Sequence, residues 1–514
     1  MSKIKKVLAV FLTLAMVLGM GVTTFAAEGN DGVVGTSDDT GIITVKGIDE
    51  KAVSVTAYPI VKAQYDTNEN FSGYSNPYNL GDIANPTQSE LAAIAAGTLP
   101  TDSYQLKLSG DDYTAEVPVG MYLIIVKGST ATVYNEVVAS VYYANENGNV
   151  IKDGKVEVTD TITEGNAWVK KTDEPTIEKT IADDENGKGN SANIGDTINY
   201  NVSISPVPNY GGLYPRLNVV DTLSAGLTYA GNLKVDVVEN NKVIKTLEDT
   251  KDYSFFLKGQ EITVDFVVNG GYTLNDYVGK EIVISYSAIL NENAALNEKD
   301  NNNNVVLDFT RDSNTDGNTG KKEDKTYTYT FDIDGSATGT DKILTKIGED
   351  TDSKALEGAE FTLYKDAECE NVYQNFDKDG NVLFDGVALS DKAGQIYMKG
   401  LAAGTYYLKE TNAPDGYSIN THVFVVKIAA TFDTISGKLA SWTITIDGKV
   451  TSTFNVANDG TVTIDKNETT IKNTKLSSLP STGGIGTTIF TIGGCLIMII
   501  AAALFFASRR KNNK

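Results

Sequence analysis

Apolar and polar residues alternate with a period of two along most of this 514-residue chain. Ile43-Thr44-Val45-Lys46, Val53-Ser54-Val55-Thr56-Ala57-Tyr58 and Tyr327-Thr328-Tyr329-Thr330-Phe331 are examples. Val, Ile, Thr and Tyr dominate these runs, and such side chains suit a pleated, half-buried surface. Gly, Asn and Asp break the runs roughly every eight to twelve positions, the spacing of short strands in β-sandwiches. The pattern predicts an all-β chain. One Ala-rich patch, Gln88 to Ala96, predicts a short helix, with Ser89 as its N-cap.

Two segments depart from alternation. Val7 to Val22 is continuously apolar, follows Lys3, Lys5 and Lys6, and precedes Thr24-Phe25-Ala26. This is the layout of a secretory signal peptide, residues 1–26, cut after Ala26. At the other end, Ile485 to Ala507 is long enough to cross a bilayer. Arg509-Arg510-Lys511 follows and holds its end on the cytoplasmic side.

Between these ends lie residues 27–482, long enough for roughly three domains. Thr172-Asp173-Glu174-Pro175 is a charged, Pro-containing joint. Asn291 to Asn304 and Arg311 to Lys325 read as polar loops, with a strand from Thr326 to Asp332 returning to the middle domain. The expected division is 27–172, 173–334 and 335–475, with 476–514 as a C-terminal signal. The expected architecture is a tandem, elongated array of immunoglobulin-like β-sandwiches.

Charge and cysteine content narrow the function. Seven of the 44 basic residues and none of the 67 acidic ones fall in the end segments, so 37 face 67 and the remainder carries −30. Such a surface is soluble and offers no footprint for nucleic acid. Cys495 lies in the apolar tail, and Cys369 alone cannot form an intramolecular disulfide. The single His, His422, gives a catalytic triad or zinc site little material. Asp377-Lys378-Asp379-Gly380-Asn381 begins like a calcium loop, but its Gly is misplaced and position twelve is Ala388. No metal, no cofactor and no enzymatic turnover are expected.

The tail carries the most specific signal. Leu479-Pro480-Ser481-Thr482-Gly483, the apolar run and the basic cluster together resemble the cell-wall sorting signal of Gram-positive surface proteins. The resemblance implies that a sortase cuts between Thr482 and Gly483 and joins the Thr482 carboxyl to an amine, ultimately of peptidoglycan. Leu99-Pro100-Thr101 lacks both the Gly and the tail.

Farther upstream, Leu344-Thr345-Lys346-Ile347, Glu410-Thr411-Asn412-Ala413-Pro414-Asp415-Gly416-Tyr417 and Ile471-Lys472-Asn473-Thr474 follow one another. This series resembles the B-type repeat of collagen adhesins, which is widespread in pilins. The resemblance implies a spontaneous amide bond between Lys346 and Asn473 beside Glu410. The chemistry fits these residue types. Burial lowers a lysine's pKa and frees a nucleophilic amine, whereas a buried carboxyl stays protonated and can donate to the Asn carbonyl oxygen. Leu344 and Lys346 share a strand face, as do Ile471 and Asn473.

The middle region, with Ile177-Glu178-Lys179 and Val220-Asp221-Thr222-Leu223, resembles the central domain of pilus shaft proteins. There the implied partners are Lys179, Asp221 and one of Asn301 to Asn304. If Val305, Leu307 and Phe309 point inward, so does Asn303, with Asn304 as the alternative. The family also links subunits through a lysine near the end of the first domain. The Tyr-Pro-Lys context usual for it is absent, and Trp168-Val169-Lys170-Lys171 offers Lys171, then Lys170.

The expected protein is therefore the major shaft subunit of a covalently polymerised, wall-anchored pilus that supports adhesion. Its implied partners are sortase, copies of itself, minor pilins, peptidoglycan through Thr482 and a host ligand. The alternative is a monomeric wall-anchored adhesin or minor pilin that displays residues 27–170.

Overall fold

The computed structural model describes residues 35–476 and 486–511, apart from 52, 183, 185–186, 211–215, 312–318, 334–343, 351, 378, 458 and 460. The signal peptide and the pentapeptide 479–483 lie outside the described residues. Three β bodies follow in tandem, each around its own apolar core.

In the N-terminal body, Thr40–Lys46 lies between Gly165–Trp168, which runs parallel to it, and Asp112–Pro118. The facing sheet is built on Ser54–Tyr65 and Gly120–Lys127. Ile43, Val45, Val55, Val117 and Ile124 meet between them, as their alternation requires. The helix Gln88–Ala96 covers the outer face and packs Leu91, Ile94 and Ala95 on Ile60, Met121 and Leu123. Its cap is Thr87, not Ser89. Thr87 Oγ accepts from the Glu90 amide at 3.2 Å, while Glu90 returns to the Thr87 amide at 2.7 Å. The Thr-x-x-Glu spacing closes a capping box that a cap two residues later cannot make.

The middle body is a two-sheet sandwich. One sheet has the order Thr176–Ile181, Thr197–Ser205, Glu281–Leu290, Leu227–Glu239, Lys242–Thr246. The other centres on Asn301–Thr310, flanked by Thr319–Tyr329 and Leu217–Leu223. Two segments read as loop are strand here. Asn301 to Asn304 already belong to the ladder, and the polar stretch 319–325 pairs with Asn304 to Thr310. The parallel strand Gly189–Ser191 reaches only Tyr327–Tyr329, so 319–325 is an edge without a second ladder partner, although Lys179 N of the neighbouring strand donates to Asp324 Oδ2 at 2.6 Å. Charged side chains suit an edge, because they deter pairing with another chain. The end of this long strand leaves the middle core: Tyr329, Phe331 and Ile333 pack into the third core, and Phe331 bridges Leu401.

The third body has a seven-stranded sheet that includes Glu360–Tyr364, Gly404–Asn412 and Val423–Phe432. Opposite it, Leu344–Gly348 and Thr469–Asn473 pair in parallel. Trp442, 1% exposed, sits among Phe331, Phe454 and Ile444. The C-terminal helix Gly486–Lys511 contains an apolar span, Ile489–Arg509, with mean hydropathy 2.6.

Candidate functional site

Two lysines, Lys179 and Lys346, are fully buried, which is rare unless the charge is paired or removed. Each lies beside a carboxylate and an asparagine named above.

In the third body, Lys346 and Asn473 come from adjacent parallel strands. Lys346 registers with Ile471 and Asn473 with Gly348, so the two side chains sit diagonally on one face. Glu410 comes from the facing strand Gly404–Asn412. Lys346 Nζ donates to Asn473 Oδ1. Glu410 Oε1 lies 3.2 Å from that Nζ and accepts from Asn473 Nδ2 at 2.8 Å. The expectation put Glu410 on the Asn473 carbonyl oxygen. That oxygen instead accepts from the ammonium, which is only a donor and needs the nearest acceptor. Glu410 Oε2 accepts from the Asn420 amide at 2.7 Å, and Phe361 lies 5.5 Å below Nζ. Burial pulls the Lys346 pKa below the ordinary lysine value, and the Glu410 charge opposes this.

The Glu410-to-Tyr417 block explains how the last strand is held. Leu476 N donates to Gly416 O at 2.8 Å, Ser418 N to Thr474 O at 2.9 Å, and Asn420 Nδ2 to Lys472 O at 3.1 Å. The turn after Glu410 thereby clamps both sides of Asn473.

The middle site spans two sheets. Lys179 projects from Thr176–Ile181, while Asp221 and Asn303 project from neighbouring strands of the opposite sheet. Asn303 is buried. Asn304 is half-buried, and Asn301 is turned onto Ala295 and Thr328. Tyr286 completes the group: its hydroxyl lies 2.7 Å from Lys179 Nζ, from Asp221 Oδ2 and from Asn303 Nδ2. Lys179 Nζ also pairs directly with Asp221. The Tyr200 and Tyr286 rings stack at 5.4 Å, and Nζ lies 5.0 Å from each. Burial lowers the Lys179 pKa against the Asp221 charge and pushes the Tyr286 hydroxyl well up. Strand parity marks Ile282, Ile284, Tyr286 and Ala288 as one inward face, so the sequence carried a signal for Tyr286. Only the sheet register shows that it meets Lys179.

Lys171 sits on the short strand Lys171–Asp173, pairs with Thr132–Tyr134, and makes an ion pair with Asp49. Lys170 is exposed. Among the described residues, no group of three or more His, Cys, Asp or Glu is placed to hold a metal.

Four family models match in succession. Residues 38–172 match the T6 antigen Ig-like domain, and 194–313 the Gram-positive pilin backbone subunit 2, Cna-B-like domain. Residues 341–439 match a prealbumin-like fold domain, and 471–514 the LPXTG cell wall anchor motif. The chain is similar to Gram-positive backbone pilins and carries an LPXTG cell wall anchor motif. It is 27% identical to the trypsin-resistant surface T6 protein of Streptococcus pyogenes serotype M6, with 97% of this chain and 99% of that protein aligned. Its fold is similar to the solved structure of the T6 backbone pilin of serotype M6 S. pyogenes, a modular three-domain structure. That likeness has a TM-score of 0.53 at 20% identity and covers 86% of this chain and 99% of that one. These matches support a pilus shaft subunit at the cell surface, and the pilin backbone domain together with the anchor motif implies sortase processing, polymerisation and wall attachment.

Proposed function

We propose that this shaft subunit, divided into domains near residues 173 and 335, carries two self-made amide cross-links. In the third domain the neutral Lys346 amine attacks Asn473 Cγ. A C–N bond forms, the Cγ–Nδ2 bond breaks, and Nδ2 leaves as ammonia. One proton must move from Nζ to Nδ2. Glu410 Oε1, in reach of both nitrogens, takes it from the first and hands it to the second. This bridging oxygen is the observation that carries the reading. In the middle domain the same transfer joins Lys179 to Asn303, with the Tyr286 hydroxyl as the bridge and Asp221 behind it.

Each bond closes a loop of about 125 residues, which on the chain-entropy model stabilises by about 5 kcal/mol. Unlike a disulfide, an amide is not opened by reductant. Without an intramolecular disulfide, the exported chain gains its covalent reinforcement in this way. The soluble ectodomain, residues 27–482, is expected to weigh less than its sequence by one ammonia per bond. An intact mass equal to the sequence mass overturns both cross-links.

Polymer growth is assigned to sortase cleavage after Thr482 and transfer to Lys171, whose amine is positioned by Asp49 at the end of the first domain. Wall-digested extracts of a Lys171→Arg strain, run under denaturing and reducing conditions, are expected to lose the high-mass ladder. A retained ladder removes Lys171 from this role, and Lys170→Arg is the companion variant. Minor pilins in the same polymer and a host-surface ligand complete the proposed partner set.

A further inference from the structure

The lysine of the middle site lies on an outer strand. Thr176–Ile181 pairs with Thr197–Ser205 on one side and has no ladder partner on the other. Backbone groups on such an edge still need hydrogen bonds where they are shielded from water. Two side chains supply them at Lys179. Its amide donates to Asp324 Oδ2 at 2.6 Å, and its carbonyl accepts from Lys188 Nζ at 2.7 Å. Lys188 Nζ also pairs with that same Asp324 oxygen, which closes the ring. One carboxylate and one ammonium thus hold both main-chain groups of the residue whose side chain enters the site.

The ring is itself anchored. Asp324 lies on Thr319–Tyr329, opposite Val305, while Thr326 of the same strand lies opposite Asn303. The main chain of Lys179 is thereby tied to the sheet that presents Asn303. Lys188 is fixed from two directions. Its carbonyl accepts from Tyr327 N at 2.9 Å. Gly437 of the third body, at φ +74°, lies so close that a Cβ there would stand 2.3 Å from the Lys188 carbonyl oxygen. The Lys188 and Asp324 side chains are 16% and 24% exposed, so solvent ions screen the pair little.

Geometry and charge give the ring a purpose. A lysine Nζ sits at the end of a long stem, so a shift of the main chain is carried to the reacting atom. An edge strand, held by a ladder on one side only, is the element freest to shift. A misplacement of about 1 Å can cost roughly 100-fold in rate. Asp324 alone would favour the charged form of Lys179, and Lys188 opposes it. Together they hold the main chain with little net pull on the proton of Nζ.

We propose that Lys188 and Asp324 form a positioning clamp for the middle cross-link, fixing the main chain of Lys179 so that its Nζ stays within reach of Asn303. The proposal rests on the reading of Lys179 and Asn303 as cross-link partners. Neither clamp residue carries a proton in the reaction; both act through the Lys179 main chain.

The test follows ammonia loss from freshly synthesised chains of residues 27–482 by intact mass over time. Asn303→Ala and Asn473→Ala mark which loss belongs to which domain. Asp324→Ala is expected to slow the middle loss roughly tenfold or more and to leave the third at the wild-type rate. Asp324→Asn, whose side-chain oxygen can still accept from Lys179 N, is expected to restore most of the rate. Lys188→Met keeps the stem without the donor and is expected to slow the middle loss as well. Each substitution is also combined with Asn303→Ala, where the middle bond cannot form, and urea unfolding there gives the folded fraction without the bond. Middle closure at the wild-type rate in Asp324→Ala overturns the clamp. So does an equal loss of rate in Asp324→Asn and Asp324→Ala, or a loss no larger than the unfolded fraction explains. Failure of the underlying reading looks different: the wild-type chain would show no ammonia loss that Asn303→Ala abolishes.

Discussion

The middle and third domains each bury a lysine, an asparagine and a carboxylate but connect them in different ways. In the third, Lys346 and Asn473 are neighbours in one parallel pair, and Glu410 reaches them from the facing sheet. A single carboxylate oxygen bridges the amine and the amide nitrogen. In the middle, Lys179 and Asn303 come from opposite sheets, and a phenol hydroxyl occupies the bridging position with the carboxylate behind it. The chemistry needs a proton carrier within hydrogen-bond reach of both nitrogens, and either oxygen type meets that need. The mechanical outcome differs. On the proposed reading, the third-domain bond would tie the first strand to the last, whereas the middle-domain bond would staple the two sheets together.

This comparison can be broken at its strongest point by Glu410→Ala. The variant is expected to regain one ammonia of mass and to lose about 5 kcal/mol of stability as the long loop reopens. The middle bond should stay intact, as intact-mass and denaturant measurements will show. A variant that keeps its full mass deficit would mean that the third site needs no carboxylate, and the parallel would fail.

Tyr286→Phe separates the two relays. It is expected to slow closure of the middle bond by about 100-fold or more, the usual scale for losing a general acid–base group, and to leave the third untouched. Mass spectra taken over time after refolding give both rates at once. An unchanged middle rate would reduce Tyr286 to a packing partner and leave Asp221 acting alone.

Protonation sharpens the comparison further. In Asn473→Ala, which cannot cross-link, Lys346 keeps its free amine and its lowered pKa. The unfolded chain then binds a proton that the folded chain has released. Stability is therefore expected to rise as pH climbs from the lowered folded value toward the ordinary lysine value of about 10.4. A tenfold difference in proton affinity between the folded and unfolded chains is worth about 1.4 kcal/mol. Urea unfolding at neutral and alkaline pH checks the sign, and a flat or falling profile would mean that Lys346 stays charged. Asn303→Ala makes the same measurement at Lys179.

The smallest effect concerns the clamp over the last strand. Asn420→Ala removes two exposed side-chain hydrogen bonds, one donated to Lys472 O and one accepted from the His422 amide, and should cost about 1 kcal/mol. It is expected to delay the third bond while the middle one, which has no such clamp, closes at its usual rate. Equal delays would assign the effect to general loosening.

Much of this was legible in the chain. The Glu410-to-Tyr417 block named its carboxylate, and period-two parity selected Asn303 from four consecutive asparagines, because Val305, Leu307 and Phe309 fix which face is inward. The misreadings were local. Residues 319–325 looked like loop because charge usually marks one, yet an edge strand tolerates charge on both faces. Ser89 and Thr87 are both acceptable caps, and only Thr87 has an acid three residues on.

The sequence by itself determined the wall address and the chemistry: a Leu-Pro-Ser-Thr-Gly sorting site before an apolar span, β domains and buried-type triads. These are properties of local order and residue type, and no partner strand is needed to express them. Tertiary structure alone decided that Tyr286 stands between Lys179 and Asn303, that Asp49 holds Lys171, and that Trp168 is left bare beside it. Those contacts join residues more than 100 positions apart or depend on which sheet covers which face, and neither is written in a two-residue period.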